Sequence, residues 1–282
     1  MSGTLRFGYV ETAHGQIHYR AAGLGEALTR AVVLLHWTPG SSAQYDAILH
    51  EFARQGYRAF APDLPGYGSS AGGAREFLVE DFAAVMLEAT QMFAPLPYTL
   101  VGGHLSAEIA AQMAVSAPSR IAQLVIDGSP TWSREFRLKL LKDIKPTAPV
   151  PVEDGSHLVK WWQHILWEMR MWQPDFTLDA RGGEQAMRVL LNDLQGRFEF
   201  AGLRAIAEFE MADCLPRLTV PTLALTAATD PLRDQHDTVL GLVPDGVGHE
   251  FPGNHPVHDP ARAAEYVKII SEFIAEHPKH RD

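Results

Sequence analysis

Tyr98-Thr-Leu-Val-Gly-Gly-His-Leu-Ser-Ala-Glu-Ile-Ala-Ala-Gln-Met-Ala-Val-Ser-Ala-Pro118 decides how this chain is read. Thr99–Gly102 is a short apolar strand, the residues after it form a sharp turn of small side chains, and Ser106–Ser116 is a helix with alanines on its packing side. Upstream, Ala31–His36 and Tyr57–Pro62 are continuous apolar runs that suit strands covered on both faces. Between them Ser42–Gln55 places Tyr45, Ile48, Leu49 and Phe52 on one side of a helix that stops at Gly56. Phe7–Thr12 and Gln16–Tyr19 flank a turn and read as an antiparallel hairpin at a sheet edge. Helical Glu76–Phe93 precedes the opening stretch and strand Ile121–Ile126 follows it. Strands alternating with helices of this length predict a parallel, doubly wound α/β sheet with helices on both faces.

The rhythm breaks after Asp127-Gly-Ser-Pro130. Arg134–Lys142, Ser156–Trp172, Glu184–Leu194 and Ala201–Met211 are helical patterns punctuated by Pro146, Pro149, Pro151 and Pro174. Strands resume at Pro221–Thr226 and Gly246–Phe251, and Pro260–Ala275 is an amphipathic closing helix. The expected organisation is a core of residues 1–129 and 213–282 interrupted by a helical lid over 130–212.

With 282 residues and 46% apolar content, the chain has ample material for a large core. A net charge of −10 without a Lys/Arg run argues against nucleic acid or an anionic membrane as partner. No stretch approaches the roughly 18 apolar residues of a membrane span, and the N-terminus lacks the pattern of a secretory signal, so a cytoplasmic protein is expected. Cys214 is alone, which leaves no disulfide framework and no thiolate cage.

Four stretches in order resemble the α/β-hydrolase superfamily: His36-Trp-Thr-Pro-Gly-Ser-Ser, Asp63-Leu-Pro-Gly-Tyr-Gly-Ser, the strand–turn–helix, and Asp230 with His255 near the C-terminus. The resemblance spans nearly the whole core. It makes the opening stretch a nucleophile elbow, Gly-x-nucleophile-x-Gly. Ile109 to Ala114 and Pro118 fix the register, with Gly102 as the first glycine, His104 at the nucleophile position and Ser106 at the second glycine. Ser106 is the competing nucleophile, but it falls in the first turn of the helix, where it serves as an N-cap or a small packing residue. The elbow and His36-Trp-Thr-Pro look like a branch of the superfamily whose elbow reads Gly-His-His-Thr-Gly-Ala, which makes histidine at the apex a natural state.

By the same resemblance, His255 is the general base, favoured over His249 and His258, and Asp230 is the acid that orients it. Asp127, at the end of the strand after the elbow, is a second candidate acid, with capping of Gly128-Ser129 as its structural role. The N–H groups of Thr38 and Leu105 are the expected oxyanion hole. His36 supports that loop, and Trp37 replaces the usual glycine and narrows the pocket. Trp161, Trp162, Trp167 and Trp172 are the lid's candidates for lining an aromatic site, Trp161 and Trp162 first among them beside His36 and Trp37, although Leu158, Trp162, Ile165, Leu166, Met169 and Trp172 also fall at helical core spacing.

With imidazole at the apex three chemistries stay open. His104 attacks an acyl carbon or activates water, with a His255–Asp230 pair relaying protons. A His255–Asp230 base removes a substrate proton for cofactor-free lyase or dioxygenase chemistry. His36, His104, His255 and Asp230 bind a metal, an option disfavoured because the superfamily keeps His36 behind its loop. The expectation is a hydrolase of a small apolar or aromatic ester or activated carbonyl compound, without cofactor or metal, as monomer or homodimer. The alternative is a ligand-binding relic of the fold.

Overall fold

The computed structural model describes residues 4–25, 28–38, 40–72, 76–143, 151–195 and 201–278. Strands β1 (Arg6–Thr12) and β2 (Gly15–Ala22) form the edge hairpin, followed by β3 (Ala31–Leu35), helix α1 (Asp46–Arg54) and β4 (Arg58–Pro62). Then come α2 (Val79–Phe93), β5 (Tyr98–Gly103), α3 (Leu105–Ser116) and β6 (Ile121–Asp127). Five helices follow: α4 (Arg134–Asp143), α5 (Ser156–Trp172), α6 (Ala180–Gln195), α7 (Ala201–Glu208) and α8 (Met211–Cys214). The chain finishes with β7 (Thr222–Ala227), α9 (His236–Leu242), β8 (Val247–Phe251) and α10 (Ala263–Glu276). Pro146 and Pro149, two of the prolines marking helix boundaries in the sequence, lie outside the described residues.

The sheet order is β1-β2-β4-β3-β5-β6-β7-β8. β1 pairs β2 and β2 pairs β4 antiparallel, and every later pairing is parallel. β3 is buried at every position and β5 likewise, as the uninterrupted apolar runs require of strands covered on both faces. α1 and α10 cover one face, where Ile48, Leu49, Phe52, Tyr266 and Ile270 meet Val32, Leu34 and Val101. α2 and α3 cover the other, where Phe82, Met86, Ile109 and Met113 meet Val33, Leu35 and Leu100.

Parallel register brings the C-terminal ends of β3 to β8 to one edge of the sheet, the edge where open α/β sheets bind ligands. Leu35 lies opposite Gly102 and Gly103 opposite Asp127, so the loops carrying Trp37, His104 and Gly128 start side by side. Between β6 and β7 the described residues contain no strand. Trp161, Ile165, Met169 and Ala186 form a small apolar cluster of their own on α5 and α6. Ala205, Ile206, Phe209 and Met211, by contrast, join the main core.

The turn after β4 is held by one carboxylate. Asp63 is fully buried, takes the His18 Nδ1 contact at 2.8 Å and accepts the N–H groups of Ser42 and Ser69. Gly68, at φ +53°, passes so close that a Cβ there would lie 2.3 Å from the carboxylate. Burial alone would raise the pKa of this group. The His18 hydrogen bond, the nearby His36 charge and the two N–H donors outweigh it and bring the carboxyl down to about 2 from 3.8. A depressed folded-state pKa means that the unfolded chain binds the proton first as pH falls. The stabilisation, about 2 kcal/mol, is therefore present above pH 4 and lost as pH drops through about 2. Asp63→Asn is expected to lower unfolding free energy at neutral pH by about 2 kcal/mol and to flatten its decline between about pH 4 and 2, measured by urea titration across that range.

Candidate active site

β5 runs into α3 through a turn that only small residues permit. A Cβ on Gly102 would lie 2.1 Å from the Ser106 carbonyl oxygen and 2.8 Å from the Ala110 methyl, so the strand and helix backbones touch. His104 sits between them at φ 56°, ψ −121°, a left-handed backbone that costs a non-glycine residue about 1–3 kcal/mol. Its N–H donates to the carbonyls of Asp127 (3.1 Å) and Gly128 (2.9 Å), and its own carbonyl accepts the Ala107 N–H (2.9 Å). The strand–turn–helix thus carries His104 at its apex.

Ser106 is completely buried and its hydroxyl donates to the His36 carbonyl. It ties the elbow helix to the loop after β3. It does not line the cavity at His104.

The structure re-pairs the acids and imidazoles. The sequence pairs His255 with Asp230, but Asp230 Oδ2 lies 3.3 Å from His104 Nε2. His255 Nε2 instead meets Asp127 Oδ1 at 2.7 Å, and Tyr266 donates its hydroxyl to Asp127 Oδ2 at 2.7 Å. His255 Nδ1 accepts the Val257 N–H at 3.2 Å, so the neutral ring donates from Nε2 to Asp127. Both nitrogens of His255 are committed to the protein. Asp127 carries the bond that the sequence assigns to Asp230.

Trp37 packs against both imidazoles. Its indole stacks on the His104 ring, centroids 4.0 Å apart at 23°, and presents itself at steep angles to His255 (5.1 Å) and His258 (4.7 Å). One indole thus touches both imidazoles that the sequence reading puts in relay. Gly103 makes room for it, since a Cβ there would lie 1.7 Å from the indole nitrogen. Gly128, at φ +61°, gives the same close approach to Asp230 and His104, with a Cβ position 2.9 Å from Asp230 Oδ2 and 3.0 Å from His104 Nε2.

Asp230 is anchored by its own turn, with Oδ1 accepting the Leu232 N–H at 2.7 Å. Burial pushes its pKa up, but the His104 hydrogen bond and charge, the Leu232 N–H and the more distant His255 charge together hold it below the usual carboxylate value. His258 is driven the other way, down to about 3, first by burial and then by the charges of His255 and His104, so it is neutral near pH 7.

A cavity of about 240 Å³ opens onto His104. Trp37, Met169, Val189 and Val257 supply its apolar walls, and Arg181, Glu184 and Arg188 of α6 a charged rim. Thr38 lines it as well, while Leu105 is fully buried directly after the elbow, at the helix end where N–H groups lack intrahelical acceptors. Gly202 of α7 closes over both, its Cβ position 3.0 Å from the Leu105 side chain and 3.4 Å from the Thr38 hydroxyl.

Of the other expected pocket residues, His36 is fully buried beneath the site. Its Nε2 accepts the Leu64 N–H and its Nδ1 donates to the Trp37 carbonyl, which makes it a brace between two loops. Trp161 and Trp162 belong to the α5–α6 apolar cluster and are not among the cavity walls. The cavity wall on α5 is formed about two turns further along, by Glu168 and Met169, with Gln173 just past the helix end. Among the described residues no group of three or more His, Cys, Asp or Glu side chains is arranged to hold a metal ion, and no helix is long and apolar enough to cross a membrane.

Two residues of the site were ranked differently by the sequence. Asp127 was visible as a strand-terminal carboxylate but was read first as a cap, and His258 was set aside in favour of His255. Tyr266 sits at an amphipathic core spacing and carries no signal of its own. The seating of Trp37 is directly testable. Gly103→Ala is expected to expel the indole, costing roughly 1–3 kcal/mol of stability and changing the near-ultraviolet circular dichroism; wild-type values for both would mean that the ring is not lodged there.

Comparison with known proteins supports this architecture. Residues 30–148 match the family model described as the alpha/beta hydrolase fold. The pyrrolizixenacetamide deacetylase of Xenorhabdus hominickii is 22% identical over 275 residues, covering 94% of this chain and 97% of that protein. A pimeloyl-[acyl-carrier protein] methyl ester esterase of Aliivibrio salmonicida is 26% identical, covering 92% and 94%. Among solved structures, a hydrolase from Pseudomonas aeruginosa PA01 superposes with a TM-score of 0.74 at 17% identity, covering 95% of this chain and 98% of its own. The esterase of Exiguobacterium antarcticum gives 0.73 at 16%, covering 97% and 99%. The chain thus has the α/β-hydrolase fold, and the proteins it is similar to include esterases and other hydrolases.

Proposed function

We propose that the protein hydrolyses a small ester or activated carbonyl compound with His104 as general base and Asp230 as the acid that orients it. The observation that carries this reading is the Asp230 carboxylate facing Nε2 of an imidazole at the elbow apex, inside a cavity. A carboxylate at Nε2 fixes the proton there and puts the lone pair on Nδ1. Water beside Nδ1 adds to the acyl carbon, giving its proton to the ring, while the carbonyl electrons move onto oxygen. The N–H groups of Thr38 and Leu105 receive that oxyanion. Collapse re-forms the carbonyl and breaks the bond to the alcohol, which leaves with the proton from Nδ1. Acid, alcohol and neutral imidazole result.

His255 has a different part in this reading. With Asp127 and Tyr266 it braces the loop that carries Val257 and His258 into the cavity wall. Helices of the 130–212 segment act as the lid, since α5 and α6 line the cavity and α7 covers Thr38 and Leu105. A volume of about 240 Å³ falls below the roughly 300–1,000 Å³ of drug-sized sites, which favours a short acyl chain. Hydrolysis is favoured over removal of a carbon-bound proton by the relatives, which carry the names of a deacetylase and an esterase.

Turnover of a panel of short-chain esters tests the assignment. His104→Ala is expected to lower kcat/KM by roughly 10²–10⁴-fold, and Asp230→Asn to lower kcat with KM little changed. His255→Gln is expected to reduce thermal stability while retaining most of the turnover. An active His104→Ala variant beside a folded but inactive His255→Gln variant would contradict this reading.

A further inference from the structure

A second cavity, of about 260 Å³, lies on the other side of His258 from the first. The two share Gln173 and His258 as walls, so the second space adjoins the one onto which His104 opens. Their linings differ in kind. The cavity at His104 is bounded by Trp37, Met169, Val189 and Val257, whereas the second has no aliphatic side chain in its lining. Asp175, Asn254, Asp259 and Arg262 surround it with hydrogen-bonding groups.

Two of the three charged side chains in the second cavity are ion-paired, and the third, Asp175, is exposed to solvent. Arg262 pairs with Glu265 and donates to the Asn254 carbonyl, Asp259 meets Arg181, and Asp175 accepts from the Asn254 amide. His258, on the shared wall, is neutral near pH 7. A carboxylate or phosphate would find no unmatched cation there, and the pull of the exposed Asp175 on an ammonium group is screened by solvent. A neutral group rich in hydroxyls suits the remaining lone pairs and N–H bonds.

We propose that the second cavity is the subsite for the alcohol portion of the substrate, and that this portion is a small neutral polyol. This deepens the hydrolase reading and rests on it for the placement of the ester bond. The acyl chain lies against Trp37 and Met169, the carbonyl carbon beside His104, and the hydroxylated leaving group past Gln173 and His258.

The test compares glyceryl monobutyrate with butyl butyrate, which share an acyl group and differ in the alcohol. Wild type is expected to favour the glyceryl ester at least tenfold in kcat/KM, mainly through KM. Asn254→Leu and Asp175→Leu are each expected to reduce that ratio several-fold; Asp175 is exposed, so its variant keeps the proposal testable if Asn254→Leu fails to fold. No preference in wild type, or an unchanged ratio in a folded variant, overturns the proposal. Calorimetric titration with glycerol monobutyl ether separates this failure from that of the hydrolase reading. Binding that is weakened by Asp175→Leu, in a protein that hydrolyses neither ester, supports the subsite and removes the reaction. Absence of saturable binding to wild type, in a protein that does hydrolyse the esters, removes the subsite alone.

Discussion

The Trp37 indole stacked on His104 is the contact on which the site depends. Two glycines make it possible: Gly102 lets β5 approach α3, and Gly103 leaves the space that the indole occupies. His104 stacks on the ring and His255 meets it at a steep angle. Each imidazole then takes a separate carboxylate, His104 from the loop after β7 and His255 from the end of β6. Both Asp127 and Asp230 sit at the same sheet edge, so exchanging partners requires no change of fold.

The fold was legible because it rests on local patterns. Uninterrupted apolar runs at Ala31–Leu35 and Tyr98–Val101, a glycine stop after α1 and the loss of strand rhythm after Pro130 each follow from residue type and spacing. The strand–turn–helix around position 104 was legible too, since an apolar strand, small turn residues and an alanine-rich helix follow one another there. Carboxylate pairing was not. It depends on which way two loops more than a hundred residues apart turn their side chains, and the indole packed on both imidazoles reads in sequence as an unusual residue in a glycine position. Trp161 and Trp162 mislead for a related reason, because an aromatic stripe on a lid helix has the same spacing whether it faces a ligand or a neighbouring helix.

The environment divides the labour among the polar groups. His36 and His255 have both ring nitrogens engaged by the protein and work as braces. Asp63 does the same for the turn after β4. His104 differs in standing on a strained backbone at the floor of a cavity, with one ring nitrogen directed at a carboxylate. Strain of this kind persists where the surroundings over-determine it, and here the carbonyls of Asp127 and Gly128 hold the His104 N–H from the neighbouring strand end.

The central claim is that the protein holds two independent imidazole–carboxylate pairs. Long-range proton–nitrogen correlation spectra of the histidine rings, recorded near pH 7 for wild type and Asp230→Asn, address it most directly. The account predicts that His104 shows the largest change and that His255 keeps its Nε2–H tautomer and wild-type shifts. A large change at His255 with His104 unmoved would restore the His255–Asp230 pairing and contradict the account.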